Sequence, residues 1–281
     1  MTETGSPIGE AGTSTGNTAA APSLPDRPPV SRFALGVAAG AILMTVVTAR
    51  ATGFSFAGII ENFGRRNLAI EGLLDPDWGQ ILSDRSRSAF VETLQLAVLG
   101  TVTGGFASLP LALWSTDYGN PNRALRAVVR TFNNVIRSIP DLLWALIFVA
   151  AVGVGALPGL LALFFFSLAV TTKLTADTLD SIDMGPVEAA DASGASLTQM
   201  LRTAVVPQIL PAYSSFVLYN FELNLRASAV LGLVGAGGIG ARLQFFQSQG
   251  DYDKLWGLVL MFFLVVVVVE RLSITLRRRL V

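Results

Sequence analysis

Long apolar runs alternate with shorter polar stretches along most of this 281-residue chain. Most of these runs approach the length of a helix that crosses the hydrocarbon core of a bilayer, roughly 17 to 25 residues. The pattern predicts an all-α integral membrane protein with six spans, at residues 33–49, 88–114, 139–154, 157–176, 212–235 and 255–272. The composition agrees, since 52% of the residues are hydrophobic and only 14% are charged, whereas soluble domains have about 25% charged residues.

The first 30 residues differ from the rest of the chain. They are rich in Gly, Ser, Thr, Pro and Ala and have no apolar periodicity, which predicts a disordered tail. The run at 33–49 is preceded by Arg27 and Arg32 and followed by Ala-Arg-Ala, so it imitates a secretory signal with its cleavage site. We favour a retained anchor, because further spans follow and the leading tail is long, and residues 31–281 then form one transmembrane domain.

One polar stretch, at residues 184–211, separates two strongly apolar runs in the second half of the chain. Gly185 and Pro186 favour the start of a short helix there. Glu188 falls in the first turn of that helix, where the helix dipole stabilises a negative charge. Gly194 can end the helix because glycine adopts positive φ without steric strain.

A second short helix is predicted to follow, because residues 196–199 form a capping box. Pro207 and Pro211 are predicted to close the unit. One side of the first helix carries only small residues, namely Ala189, Ala190, Ser193 and Gly194. The residues alone allow two interpretations: a loop helix packed on its own domain, or a smooth surface that another protein approaches closely.

The fifth predicted span contains two charged residues, Glu222 and Arg226, which are four residues apart and can pair on one face. A charge at the bilayer centre costs roughly 2.5 to 3.5 kcal/mol on insertion scales, so such residues face a bundle interior or a water-filled cavity. They are therefore either a neutralised pair that fixes helix packing or part of a translocation pathway. Asn220 and Asn224 flank the pair and can donate hydrogen bonds.

Residues 235–240 read Gly-Ala-Gly-Gly-Ile-Gly and match the dinucleotide-binding fingerprint G-x-G-x-x-G. We interpret the match as accidental, because the preceding apolar run is too long for a strand and no βαβ pattern surrounds it. The glycines instead predict a hinge or re-entrant loop at the end of the fifth span, with a close-packing turn as the alternative. The residues concerned are Gly235, Gly237, Gly238 and Gly240.

Several kinds of chemistry are excluded by residues that the sequence lacks. It has neither His nor Cys, so we predict no catalytic triad based on His and no metal site of His or Cys ligands. Lys173 and Lys254, its two lysines, do not follow the glycine pattern of a P-loop. We therefore expect no enzyme activity and no bound cofactor, with ATP and Mg²⁺ on a separate subunit if ATP drives the protein. The formal net charge of zero gives no indication of nucleic acid as a partner.

The polar stretch resembles the EAA loop of ABC-importer permeases. The resemblance is carried by Glu188-Ala189-Ala190, then Gly194, then Ala-Val-Val-Pro ending at Pro207. In that family the loop is a cytoplasmic coupling helix that docks on an ATPase subunit. Three further segments, RSIPDLL at 137–143, VPQILP at 206–211 and VLGLVGAGGIG at 230–240, are similar to phosphonate- and phosphate-type permeases.

This resemblance covers roughly residues 85–281 and implies the architecture of a type I ABC importer permease. It implies a second copy of the chain, an ABC ATPase dimer and an extracytoplasmic substrate-binding protein as partners, and it places Arg137 near the pathway. The implied function is import of phosphonate, phosphite or phosphate. Two alternatives stay open: an amino-acid importer permease of the methionine kind, and a self-sufficient secondary transporter or channel gated by Glu222 and Arg226.

Basic residues predict the orientation in the inner membrane. If the N-terminus is cytoplasmic, twelve basic residues fall on the cytoplasmic side and seven on the outer side, with Arg226 inside a span, which accounts for all 20. The bias predicts that both termini are inside. It also places the stretch at 184–211 in the cytoplasm, where an ATPase subunit could reach it.

Overall fold

A computed structural model describes residues 31–64, 67–117 and 119–280. The tail at 1–30, predicted to be disordered, lies outside the described residues. The described chain falls into two units, residues 31–64 and residues 67–280. Both units are helical, and the described residues form no β-strand.

The first unit consists of two helices, α1 at Arg32–Ala51 and α2 at Phe56–Gly64. Ser31 caps α1, because its hydroxyl oxygen accepts a hydrogen bond from the Ala34 N–H at 3.2 Å. With 20 residues and a strongly apolar sequence, α1 is long enough to cross a membrane, as predicted for residues 33–49.

The second unit is a helical bundle. Its helices are α3 Leu68–Leu74, α4 Asp84–Trp114, α5 Arg123–Ser138, α6 Asp141–Val152, α7 Ala156–Leu179, α8 Gly185–Ala192, α9 Leu197–Met200, α10 Val206–Gly232, α11 Gly238–Gln249 and α12 Tyr252–Leu280. A 3₁₀ turn at Gly79–Leu82 precedes α4, and a π-helical turn at Leu201–Val205 joins α9 to α10.

Small residues let α4 and α7 pack closely. A Cβ atom on Gly100 would lie 2.6 Å from the Leu163 Cβ, and one on Gly104 would lie 2.6 Å from the Ser167 Cβ and 2.7 Å from the Phe164 carbonyl oxygen. Glycine at helix contacts is typical of membrane proteins, because helices in lipid gain stability from close packing and not from exclusion of water. The residue numbers rise together along both helices, so α4 and α7 are parallel.

Hydrogen bonds between side chains attach α10 to this pair. The Asn224 Nδ2 donates to Thr101 Oγ1 on α4 at 2.8 Å and to Ser167 Oγ on α7 at 2.7 Å. One turn away, the Asn220 amide donates to Thr171 Oγ1 on α7. The numbers on α10 fall as those on α7 rise, so α10 is antiparallel to α4 and α7.

The direction of each long helix defines the two ends of the bundle. Ion pairs between α10 and α12 show that α12 is also antiparallel to α10. One end therefore contains the N-termini of α4, α7 and α12 and the C-terminus of α10. The stretch at 184–211 and the C-terminus of α12 both lie at the other end, which agrees with their predicted location on the same side of the membrane.

A sharp corner separates α5 from α6. The residue before a proline is disfavoured in the α conformation, and Ile139, which precedes Pro140, has extended dihedral angles of φ −91° and ψ 121°. The two helices consequently meet at a bend of 88°. Residues 123–138 form the amphipathic helix α5.

The six predicted spans are not all confirmed. Four described helices, α1, α4, α7 and α12, are long and apolar enough to cross a membrane, and the bent pair of α5 and α6 can supply a fifth crossing. The predicted span at 139–154 corresponds to α6, whose 12 residues extend about 18 Å and cannot cross a core of about 30 Å alone. The span predicted at 212–235 lies mainly in α10, a helix of 27 residues that contains several polar residues and is not among the four.

We expect Gly104→Ala to lower the stability of the purified protein, because the new Cβ would overlap backbone atoms of α7. Overpacking of this kind costs about 1 to 3 kcal/mol, which the midpoint of thermal unfolding in detergent will report. Gly105→Ala is the matched control, since the nearest atoms to its Cβ would lie 3.4 Å away. Equal midpoints for the two variants would contradict the close contact between α4 and α7.

Candidate functional site

The first predicted helix of the polar stretch is present as α8. Pro186 and Glu188 lie in its first turn, and Gly194 follows its end with φ of +73°, as predicted. Val187 points inward and is 5% exposed, within a core cluster that also includes residues of α4, α7 and α10. The helix is therefore fixed to the end of the bundle by the buried side chain of Val187, beside the half-buried Ala190.

The opposite side of α8 is open. Glu188, Ala189 and Gly194 are exposed, whereas Ala190 is half-buried against the core cluster, so the row of small residues is only partly on the outer side. Within the described part of the chain, the Glu188 carboxylate has no ion pair or hydrogen bond. A small-faced helix with two exposed carboxylates that form no ion pair with a described residue, Glu188 and Asp191, is thus presented at this end of the bundle.

The second helix begins as predicted, because the Ser196 N–H donates to the Gln199 Oε1 at 2.8 Å in a capping box. The prediction that Pro207 and Pro211 close the unit is wrong. The chain passes from α9 through the π turn directly into α10, with Pro207 in the first turn of α10 and Pro211 inside it. Pro207 has no N–H to donate, and the wider π turn directly before it lets the helical path continue through the proline.

Gln208 connects the start of α10 to the linker between α7 and α8. Its Oε1 accepts from the Asp183 N–H at 3.0 Å, and its Nε2 donates to the carbonyl oxygens of Asp183 and Ala204 at 3.1 and 2.7 Å. The sequence gives no signal for this contact, because the residues are 25 positions apart. The Gln208 side chain therefore joins α10 by hydrogen bonds to the linker that leads into α8.

The predicted Glu222–Arg226 pair is present and belongs to a larger network. The Glu222 side chain is 8% exposed and accepts from Arg226 at 2.7 Å and from Arg277 at 3.1 Å. Arg226 also contacts Glu270 at 2.9 Å, and these two side chains are 45% and 41% exposed. Sequence spacing could not reveal Glu270 and Arg277, which lie 44 and 55 residues away on α12.

The other residues predicted for the pathway lie apart from this network. Asn220 and Asn224 are fully buried between helices. Arg137 is exposed at the corner between α5 and α6, where it lines a cavity of about 320 Å³ with Trp144 and Phe166. No hydrogen bond or ion pair joins Arg137 to another described residue.

The glycine-rich segment is a tight turn covered by neighbouring helices. Three of its residues have positive φ, namely Gly235, Gly237 and Gly238. Gly240, in the first turn of α11, packs closely on Gly232, since a Cβ atom on Gly240 would lie 2.6 Å from the Gly232 Cα.

Hydrogen bonds tie this turn to neighbouring segments. The Gly155 N–H donates to the Gly235 carbonyl oxygen at 2.8 Å, and the Ile239 N–H donates to Thr93 Oγ1 at 2.7 Å. A helix and not a strand precedes the turn, so the dinucleotide fingerprint is accidental.

Two curated relatives share more than a third of their aligned residues with this chain. A phosphate-import permease protein PhnE of Mycolicibacterium smegmatis is 37% identical over 83% of this chain and 44% of the relative. A phosphite transport system permease protein PtxC of Stutzerimonas stutzeri is 38% identical over 67% of this chain and 68% of the relative. The chain thus spans less than half the length of the first relative.

A solved structure of the MetNI methionine ABC transporter in an inward-facing conformation has a similar fold. It matches 71% of this chain and all of its own permease chain with a TM-score of 0.61, at 21% identity. This similarity confirms the predicted all-α fold of a type I ABC importer permease.

The profile of the family described as "Binding-protein-dependent transport system inner membrane component" matches residues 108–281. The chain therefore belongs to this family of integral inner-membrane transport proteins.

Proposed function

We propose that this protein is the permease subunit of an ATP-driven importer that moves phosphonate, phosphite or phosphate across the inner membrane. The observation that carries the proposal is the exposed face of α8, with Glu188 and Ala189 directed away from the core. Its sequence matches the EAA loop, its shape suits close contact with another protein, and the chain has no P-loop of its own. The names of the two curated relatives support a phosphorus oxyanion as the substrate.

The proposed partners are an ABC ATPase dimer on α8, a second copy of this chain and an extracytoplasmic substrate-binding protein. The ATPase dimer would bind and hydrolyse ATP with Mg²⁺. A displacement of α8 would reach α10 by two connections, the packing of Val187 in the shared core cluster and the hydrogen bonds of Gln208 to the linker before α8. Movement of α10 relative to α4 and α7 would then alternate access to the substrate.

The two exposed charges of the α10–α12 network support a location beside the pathway. Arg226 and Glu270 lie within apolar helices and are each more than 40% exposed. Charged side chains in a span are expensive against lipid and normally face protein or water. We therefore propose that this edge, together with Arg137, faces the translocation pathway or the second copy of the chain.

The orientation proposed from basic residues puts both termini, α8 and the C-terminal arginines of α12 in the cytoplasm. The solved methionine transporter is 21% identical to this chain and its likeness is one of fold, whereas the relatives named for phosphate and phosphite are 37% and 38% identical, which favours a phosphorus oxyanion over an amino acid. A self-sufficient transporter or channel would need no partner at the exposed face of α8. Both alternatives are distinguished by the experiments below.

We expect Glu188→Lys to reduce uptake of phosphate into vesicles that contain the complete transporter by about tenfold or more, because a charged contact with the ATPase subunit would become repulsive. Co-purification of the ATPase subunit should fall in parallel. Asp75→Lys is the control, since it makes the same change of charge at an exposed position near the opposite end of the bundle. Unchanged uptake by Glu188→Lys would end the coupling proposal.

Arg226→Ala should separate a role in packing from a role in the pathway. Glu222 keeps its ion pair with Arg277 in this variant, so we expect normal expression and thermal stability. Uptake should nevertheless fall by about tenfold, since loss of a hydrogen bond to a charged group costs about 1.5 to 3 kcal/mol. Normal uptake at unchanged expression would make the residue purely structural.

A competition assay tests the substrate. In vesicles with the cognate ATPase and binding protein, we expect uptake of radiolabelled phosphate, or of phosphite or a simple alkylphosphonate, to depend on ATP. Excess methionine should leave that uptake unchanged. ATP-dependent uptake of methionine alone would favour the amino-acid alternative, and uptake without ATP or partners would favour a channel or secondary transporter.

A further inference from the structure

A wide-mouthed cavity of about 560 Å³ lies at the end of the bundle opposite to α8. Its walls come from the first turns of α4, from the glycine turn and from the first turns of α11. Four charged residues line it, namely Asp84, Arg85, Glu92 and Arg242. None of them belongs to the coupling helix, the α10–α12 network or the corner between α5 and α6.

Arg242 has hydrogen-bond donors without acceptors. Its guanidinium group stacks on Phe246 at 4.8 Å and on Phe245 at 5.2 Å from the ring centroids. Its Nε is buried and has no hydrogen-bond partner, and no ion pair to a described residue involves this side chain. Stacking of a guanidinium on aromatic rings leaves its N–H edge free, and this edge fits two oxygens of one anion.

Arg85 adds a second uncompensated cation. It is exposed on the first turn of α4 and forms no ion pair or hydrogen bond with a described residue, whereas the nearby Arg87 pairs with Asp84 at 3.5 Å. Burial lowers the pKa of Arg242, and the positive charge of Arg85 lowers it further. The two guanidinium groups therefore repel each other, and an anion between them would relieve the repulsion.

These cations lie on the side of the membrane where cations are disfavoured. In the proposed orientation this end faces outward, and the positive-inside rule makes arginine rare in short outer segments. Two arginines that line one cavity without a carboxylate partner do not stabilise the fold through ion pairs. Binding of an anionic ligand would explain why both arginines line this cavity.

Glu92 restricts which anions can bind in this cavity. It lines the same cavity, and a Cβ atom on Gly237 would lie 2.6 Å from its Oε1, so glycine leaves space for the carboxylate. An ionised carboxylate only accepts hydrogen bonds. A ligand held by the two arginines and also contacting Glu92 must therefore carry an O–H group, which protonated phosphate and phosphonate ions have and sulfate lacks.

We propose that this cavity is an extracytoplasmic binding site for a phosphorus oxyanion that retains one proton, held by Arg85 and Arg242 and selected by Glu92. The site would receive the substrate between its release by the binding protein and its passage through the bundle. For the side of the membrane and the substrate class, this inference depends on the function proposed above.

Equilibrium binding of radiolabelled phosphate to the transporter in nanodiscs, without ATP and without the binding protein, tests the site. We expect Arg85→Gln and Arg242→Gln each to weaken binding by about tenfold or more, as for loss of a charged hydrogen bond. Arg278→Gln, which removes an exposed arginine at the opposite end of the bundle, is the control and should bind as the wild type does. Sulfate should not compete in the wild type, and Glu92→Gln should allow it to compete.

Wild-type affinity in both Arg85→Gln and Arg242→Gln would overturn the site, and equal competition by sulfate in the wild type would overturn the role of Glu92. Arg85 is exposed, so its variant keeps the test valid if Arg242→Gln fails to fold. Uptake measured in parallel with all partners separates the two proposals. If phosphate uptake is intact and binding does not respond to either substitution, only the site is wrong, whereas absence of any phosphorus oxyanion uptake contradicts the proposed function.

Discussion

The amide of Asn224 holds three helices together at the middle of the bundle, because it donates to one hydroxyl on α4 and one on α7. In lipid, burial of apolar surface does not favour one helix contact over another, so small residues and hydrogen bonds decide which helices associate. The glycines of α4 allow the close approach to α7, and Asn224 then fixes the depth and rotation of α10 against this pair. The positions of α8 and of the ion network both follow from that placement of α10.

Force applied at α8 would act on a rigid connection. Val187 is buried in the cluster at the end of the bundle, Gln208 binds the linker before α8, and no break in the helix separates Ser196 from Asn220. A loop with free torsions would absorb a displacement, whereas this arrangement passes it to the helix that carries Asn224 and Arg226. The proposed pathway and the proposed ATPase contact are therefore joined by packing and hydrogen bonds at α8 and by one uninterrupted helical path from α9 onward.

The helix caps and turns between residues 184 and 199 could be predicted from short sequence patterns. The turn at Gly194, the first turn with Pro186 and Glu188 and the capping box at Ser196 follow from backbone stereochemistry over four residues, and all are present. The prediction for Pro207 and Pro211 is wrong because the effect of a proline depends on the helix already formed around it.

Features that depend on distant segments could not be predicted. The partners of Glu222 on α12, the Gln208 contact and the cavity with Arg85 and Arg242 each join residues far apart in the chain. The 88° corner at Pro140 could not be predicted either, since its angle depends on packing. Because the π turn at Leu201–Val205 joins α9 to α10 without a break, the number of residues between the capping box and α10 sets their relative rotation. Each residue of a helix turns the chain by about 100° and advances it 1.5 Å, so a change of length by one residue would rotate the capping box at Ser196 to a different side of α10 even if every contact residue were kept.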